Sequence, residues 1–552
     1  MLSVAGLVAL GFLLHCLHLF DSNYYYILSP DSYFFHWVAK GVMAGEPPPS
    51  GPGAAGLYTL HSGLAYPLSY LAKAAGYVFG LSNGDALDLV SKFLPPVLGV
   101  ISVVLIYLFA ARICGRRIGL LSALAWAFML LPVTLGAAGY LDRDGLSMLL
   151  LMMGAFLFYL SGVWHFKVGG RDVGWLIAGA GVLVMEALLY MEWAFVGPVL
   201  LLAVIAAYFV VRFLLEYLER MEPEPDVRRR LAASMGKVNW RAFALIVVAN
   251  ALVAGVNFQQ AASWWSFAVS LVQSNGETKI TEMQGLGFAD LTAFGFFIIP
   301  MVLGLYVAWK KRAESTIFFS SWFLVLLILA IFSRRVLIYA VPAACLLSGV
   351  GLAFLWDWAR QGLFHMWKKI GFAALLGLTI VLSFYSAYFL ASTGAFAPSR
   401  GWQDALAYLR NETPRDSVIM SQWSWGYWIL DLGQRTPLVD NGYYGYDADR
   451  LRDVGLAYST TDPAEAAQIM KKYGANYLVL SKLDTKYAVT IMGWANVGEG
   501  LGSFPGNSLV MRSLSGEFQS GGGLEVLKRF FTKSESGSVS EPEVVILGLT
   551  QT

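Results

Sequence analysis

The feature that most constrains this chain is a succession of apolar stretches, each about long enough to cross a bilayer. A membrane-spanning helix needs about 20 such residues. Stretches of this kind run near 3–20, 93–111, 118–138, 145–164, 173–191, 193–213, 241–257, 287–309, 316–332, 336–356 and 370–391. Inside lipid each backbone N–H and C=O must be satisfied within its own segment, so these stretches are expected to be helices. An odd number of crossings is expected, and a hairpin within 240–275 would change the count. The first stretch has little positive charge before it and no small-residue cleavage site after it, so it reads as a retained helix. Composition agrees: 57% of the 552 residues are hydrophobic and 14% charged. Soluble chains carry nearly twice that share of charge, which excludes a disordered, collagen-like or ordinary cytosolic protein. A net charge of +2 gives no reason to expect a nucleic-acid partner. Cys16, Cys114 and Cys345 lie in or beside apolar runs and form neither a disulfide framework nor a Cys-based zinc site.

Lys and Arg placement sets the expected orientation. Basic residues fill alternate loops: Arg112, Arg116 and Arg117; Lys167 and Arg171; Arg228, Arg229 and Arg230; Lys310, Lys311 and Arg312; Arg360, Lys368 and Lys369. Those loops are expected in the cytoplasm. The loops 21–92, 139–144, 258–286 and 333–335 then face outward, as does the tail after 392, so the N-terminus is inside and the C-terminus outside. Arg334 and Arg335 break the rule by standing together at the outer end of two spans. They read either as a snorkelling pair or as a site for a phosphate-rich anion.

The chain accordingly divides into a multi-span domain, 1–392, and an outer domain, 393–552. In the second part, Ser417-Val418-Ile419-Met420, Tyr477-Leu478-Val479-Leu480 and Val544-Val545-Ile546-Leu547 read as buried strands. Asp462 as N-cap and Pro463 at the first helical position open a helix running through Lys472. This alternation predicts a compact α/β domain. The Gly/Ser-rich segment 514–541 is expected to be loop.

The loops assigned to the outside gather carboxylates at helix ends: Asp31, the pair Asp142 and Asp144 around Arg143, and Glu282 in Lys279-Ile280-Thr281-Glu282. Singly, each reads as a helix cap or a solvated loop residue. Together, all on one face and with an arginine pair, they describe oxygen ligands for Mg²⁺ or Mn²⁺ beside a diphosphate. Of the histidines, His15 and His18 lie in the first span and His165 and His365 on the cytoplasmic side; His36 and His61 are outside and read as non-ligands. No Gly-rich phosphate loop, Ser nucleophile elbow or HExxH motif occurs.

Taken together, these residues resemble the catalytic subunit of oligosaccharyltransferase in its single-subunit bacterial and archaeal form, over nearly the whole chain. Asp31 matches the family's first-loop aspartate, and Asp142-Arg143-Asp144 its second acidic motif. Lys279-Ile280-Thr281-Glu282 resembles its TIxE motif with Lys for the first Thr, and the run from Arg335 to Pro342 its diphosphate-contacting segment. The family's Trp-Trp-Asp-x-Gly signature reads here Gln422-Trp423-Ser424-Trp425-Gly426, with Gln for the first Trp and Ser for the Asp. The competing reading of this stretch is an aromatic turn packed for structural reasons.

The resemblance implies an α-helical polytopic membrane domain of C-type glycosyltransferase kind followed by an outer α/β domain. It implies transfer of a glycan from a polyprenyl-diphosphate carrier to an asparagine of an acceptor protein or peptide. It further implies Asp31 and Glu282 as catalytic carboxylates, and Asp31, Asp142, Asp144 and Glu282 around Mn²⁺ or Mg²⁺. Arg335 would bind the donor diphosphate, and Trp423, Ser424, Trp425 and Gly426 the acceptor. A monomer in a bacterial or archaeal plasma (inner) membrane, with its C-terminal domain periplasmic or extracellular, is expected. Ser424 keeps a second reading open, a transferase acting on a Ser/Thr hydroxyl, a lipid or a polysaccharide. A transporter or scaffold with an outer sensor domain is the third, disfavoured by the lack of broken inverted-repeat helices.

Overall fold

The computed structural model describes residues 3–16, 29–45, 63–163, 167–168, 171–193, 196–221, 243–248, 287–311, 313–361, 365–393, 397–441, 448–495, 503–531 and 542–550. Contacts divide the chain into two compact units, Met1–Asn23 with Phe93–Thr393 and Tyr24–Lys92 with Gly394–Thr552. The segment from Tyr24 to Lys92 thus packs with the C-terminal residues.

The first unit is helical. Among the described residues, five helices are long and apolar enough to cross a bilayer: Asn83–Cys114, Arg143–Gly162, Gly197–Leu215, Phe294–Lys311 and Arg334–Ala359. Val4–His15, Gly174–Leu189 and Ser315–Ala330 are apolar but shorter. Most of the expected span 241–257 lies outside the described residues.

Two stretches read as single spans are interrupted. The run 118–138 forms two helices, Arg116–Phe128 and Leu130–Leu135, with Met129 extended between them at ψ 136°. Pro132 is the cause, because its ring collides with the carbonyl four residues back, that of Phe128. The run 287–309 opens as a 3₁₀ helix, Phe288–Phe297, and turns at Gly295 (φ 53°) into the helix Ile298–Lys311. A side chain is excluded at two nearby glycines: a Cβ on Gly304 would overlap the Leu347 carbonyl, and one on Gly351 the Pro300 carbonyl. The helices Ile298–Lys311 and Val341–Ala359 therefore meet backbone to backbone, as small residues allow inside a membrane. Trp126, Trp322, Phe109 and Phe318 fill the core around them.

Among the described residues of the second unit, six strands form one sheet: β1 (Val418–Met420), β2 (Thr436–Pro437), β3 (Tyr477–Ser481), β4 (Ser520–Gly521), β5 (Leu524–Phe530) and β6 (Val544–Leu549). Their order is β2-β1-β3-β6-β5-β4. β1 runs parallel to β2 and β3, and β6 lies antiparallel between β3 and β5. The three strands read from sequence are β1, β3 and β6. Their apolar runs sit centrally, with Leu478, Val479, Val545, Ile546 and Leu547 fully buried. The helix Pro463–Lys472 begins as expected, with Asp462 accepting the Ala464 N–H at 2.9 Å.

The loop expected over 514–541 is corrected in part. Residues 520–530 form the hairpin β4–β5, and Gly521, Gly522 and Gly523 supply the positive φ values of its turn (152°, 61° and 84°). Glycine there marks the turn of a hairpin, because an L side chain is strained at those angles.

Candidate functional site

In the first unit, the second acidic motif opens the helix Arg143–Val163 after a turn at Gly139, whose φ is 80°. Asp142 accepts a long 3.4 Å bond from the Asp144 N–H, a helix-capping contact, and lines an apolar cleft with Leu98, Trp126, Gly136 and Met148. Asp144 is buried at 4% exposure. Its Oδ1 accepts the Tyr339 hydroxyl at 3.1 Å, and its Oδ2 lies 3.5 Å from the Arg335 guanidinium. Arg335 and Tyr339 share one short 3₁₀ helix, Arg334–Ala340, which brings both to the same carboxylate. Arg334 pairs elsewhere, 3.6 Å from Asp290. Two neighbouring arginines thus have different carboxylate partners. A guanidinium beside a buried carboxylate is held in place, and its planar fork of N–H donors is of the kind that suits a phosphate-type anion.

In the second unit, Asp31 lies in the first turn of the helix Pro30–Ala44, where a negative charge is favoured by the helix dipole. It accepts the side-chain N–H of Asn441 at 2.7 Å. The same helix docks on Gly426–Asp431. Tyr33 meets Trp428 edge-on at 6.4 Å, and Phe34 meets Tyr427 at 5.1 Å. His36 Nδ1 donates to Asp431 at 2.8 Å, Lys40 donates to the other Asp431 oxygen at 2.7 Å, and His36 Nε2 donates to Asp88 at 2.9 Å. Both ring nitrogens of His36 therefore face carboxylates, which is the pattern of an imidazolium. Burial pulls the His36 pKa down, but the Asp431 charge and the two carboxylate hydrogen bonds outweigh it and hold it above its ordinary value. Burial likewise pushes Asp431 up, yet His36 and Lys40 keep its carboxyl below the usual range.

The aromatic motif follows β1. Gln422, fully buried, brackets Ser424: its Oε1 accepts the Ser424 N–H and its Nε2 donates to the Ser424 hydroxyl, both at 2.9 Å. The two departures from the family signature thus contact each other. Trp423 meets Trp494 edge-on at 6.5 Å, while Trp425 stacks on Trp428 at 4.8 Å and donates its indole N–H to Asp484 at 2.6 Å. Burial raises the Asp484 pKa to about 7, against the opposing bonds from Trp425 and the Ser481 N–H. Gly426 has a steric reason: a Cβ there would come within 2.5 Å of Asp440 Cα.

Of the residues singled out from the sequence, Asp144 and Arg335 are brought together, and Trp423, Ser424, Trp425 and Gly426 form one packed turn. Asp31 belongs to the second unit and Asp142 to the first, and Glu282 lies outside the described residues. No group of three or more His, Cys, Asp or Glu converges on a metal-sized site among the described residues. The donors that are described, Asp31, Asp142 and Asp144, offer only carboxylate oxygen, which suits a hard divalent cation. Sequence reasoning missed Tyr339, His36, Asp431, Asn441 and Asp484 as members of these networks. For Asp484 a signal existed, since Ser481 and Asp484 have capping-box spacing, and the box forms.

No protein-family model matches the chain. Rice carries a relative, a dolichyl-diphosphooligosaccharide–protein glycosyltransferase subunit STT3B, 27% identical over 229 residues. That match takes in 33% of this chain and 31% of the rice protein, so it spans under a third of that relative's length. The dolichyl-phosphooligosaccharide-protein glycotransferase 1 of Archaeoglobus fulgidus is 23% identical over 472 residues, covering 74% of this chain and 75% of its own. Among solved structures, the A. fulgidus oligosaccharyltransferase AglB, in complex with an inhibitory peptide and a dolichol-phosphate, superimposes with a TM-score of 0.72 at 14% identity. That superposition covers 99% of this chain and 88% of AglB. ArnT from Cupriavidus metallidurans gives 0.53 at 12% identity, covering 98% and 97%. The fold is therefore that of a multi-pass membrane protein of C-type glycosyltransferase architecture with a C-terminal α/β domain. Within that class, the chain is similar in sequence and fold to catalytic subunits of oligosaccharyltransferase of the single-subunit kind.

Proposed function

We propose that the chain transfers a glycan from a polyprenyl-diphosphate carrier to the side-chain amide of an acceptor asparagine, on the outer face of a bacterial or archaeal plasma membrane. The observation that carries this reading is the Arg335–Asp144–Tyr339 cluster, a fixed cation at the end of apolar helices next to an acidic pair. The relatives described above support it, as does the A. fulgidus oligosaccharyltransferase structure tethered to an acceptor peptide with an NVT sequon.

In the proposed reaction the amide nitrogen attacks the first carbon of the glycan. The bond from that carbon to the diphosphate oxygen breaks, its electron pair leaves with the diphosphate, and the nitrogen gives up one proton to a carboxylate that accepts its N–H bond. Asp31 and Glu282 accept from the amide N–H bonds and orient its lone pair toward the sugar. Arg335 would meet the charge that grows on the leaving group and act as a preorganised positive charge. Asp31, Asp142 and Glu282 would hold a divalent ion, Mn²⁺ or Mg²⁺, with Asp144 joining through the carboxylate that also holds Arg335. A homologous AglB structure contains Zn and sulfate, which supports a divalent cation as the class. When bound, such an ion stabilises the charge on the departing diphosphate. Trp423, Ser424, Trp425 and Gly426 are proposed to hold the acceptor's Ser or Thr.

The Gln422–Ser424 bracket favours one second reading, the same transfer to a different acceptor. A serine hydroxyl already engaged by Gln422 is a weaker acceptor than a carboxylate. The test is consumption of lipid-linked oligosaccharide by the purified chain with Asn-x-Thr peptides against Ser/Thr-only peptides. Glycan on the first alone supports the proposal; glycan on the second alone moves the function to the hydroxyl acceptor.

A further inference from the structure

Asp31 is not held by the cap of its own helix. Ser29, the N-cap residue, makes no side-chain capping bond, and among the described residues the bond from Asn441 is the hydrogen bond Asp31 makes. Asn441 lies 410 residues away in sequence, in the segment that leaves β2. That segment is itself fixed. It runs over the start of the helix Gly426–Asp431, so closely that a Cβ on Gly426 would come within 2.6 Å of the Val439 carbonyl and 2.5 Å of Asp440. The helix bearing Asp31 is tied to Gly426–Asp431 at its far end by His36 and Lys40 on Asp431. Asp31 is thus located at both ends of its helix by the residues that flank the aromatic motif.

We infer that Asn441 is a positioning residue for Asp31. Its amide N–H occupies Oδ1, fixes the plane of the carboxylate and leaves Oδ2 to the reacting amide or the divalent ion. An asparagine donor does this without neutralising the carboxylate, where a lysine would add a competing charge. The inference rests on the proposed function in taking Asp31 as the carboxylate that meets the acceptor amide. It also makes the acceptor turn and the amide-activating carboxylate parts of one unit.

The test uses the full chain in detergent or nanodiscs, with Asn441→Ala and the isosteric Asn441→Asp. A hydrogen bond to a charged group is lost in the first, so kcat is expected to fall about ten- to a hundredfold, with peptide KM within about twofold. Asn441→Asp sets carboxylate against carboxylate and is expected to fall further, at parental yield. A thermal-melting cycle of Asn441→Ala and Asp31→Ala, singly and together, reads the bond without any reaction, and non-additive shifts are expected. Additive shifts, or a raised KM at unchanged kcat, overturn the inference. A parent chain that glycosylates no asparagine peptide overturns the proposed function and the role given to the bond, even where the cycle shows the bond itself.

Discussion

Replacing Asp431 by Asn tests the buried junction that ties the helix Pro30–Ala44 to the aromatic motif. The Asp431 carboxylate is fully buried and takes His36 on one oxygen and Lys40 on the other. Removing one partner of such a group costs about 3–5 kcal/mol when a charge is left stranded. Asn keeps the shape and one acceptor, and His36 can shed its proton, so about 3 kcal/mol is expected near pH 5.5. The pH dependence has a definite sign. The pKa of His36 is raised in the fold, so its contribution is complete below its ordinary value of 6.5 and is lost as pH rises through the folded pKa. The pKa of Asp431 is lowered, so its contribution is present above 3.8 and is lost as pH falls through the folded value. The junction is therefore strongest from about pH 4 to 6.5, and the variant's loss shrinks as pH rises through the folded pKa of His36. For a unit of this size a loss of about 3 kcal/mol lowers the Tm by roughly 6–12 °C. Tryptophan fluorescence is the assay, since Trp425 and Trp428 stack beside the junction. A Tm loss that does not shrink anywhere as pH is raised from 5.5, or no loss at any pH, would refute the imidazolium–carboxylate account.

Arg335→Ala should weaken donor binding about ten- to a hundredfold while peptide binding changes little, and Tyr339→Phe should cost only several-fold, because Arg335 still holds Asp144; equal donor affinity in parent and Arg335→Ala would leave the snorkelling explanation. Asp142→Asn and Glu282→Gln should raise the Mn²⁺ concentration needed for turnover and lower kcat at unchanged protein level; full activity of both at low Mn²⁺ would remove them from the metal site. Ser424→Asp should sharpen discrimination of Asn-x-Thr over Asn-x-Ala peptides several-fold, about 1 kcal/mol, because a carboxylate accepts a stronger bond than a hydroxyl. A parent that already rejects Asn-x-Ala as sharply points to another residue for that contact.

Much of the architecture was legible because its signals are local. Apolar length marked the spans, and Asp462 followed by Pro463 marked a helix start. The interruptions were harder, since Pro132 acts on a residue four positions back and Gly295 turns a helix inside an apolar run. The hairpin at 520–530 was hidden because three glycines lower the apolar count while forming the turn that pairs the strands. In the candidate site, the acidic residues and Arg335 stand out through charge beside apolar runs. Their partners do not. His36 reads as a non-ligand, and no local signal in Asp440-Asn441-Gly442 points to a partner, until a contact across some 400 residues sets His36 against Asp431 and Asn441 against Asp31. Ser424 looked like a lost carboxylate, and only the bond from Gln422 shows why the two replacements occur together.

The most direct test of the central claim is where the glycan is attached. The purified chain is given lipid-linked oligosaccharide and a peptide carrying both Asn and Thr in Asn-x-Thr, and the product is fragmented by mass spectrometry. The account predicts glycan on the asparagine side-chain nitrogen, one polyprenyl diphosphate released per transfer, and loss of product with Asp31→Asn and with Arg335→Ala. Glycan on the threonine oxygen, or asparagine product undiminished in both variants, would contradict it.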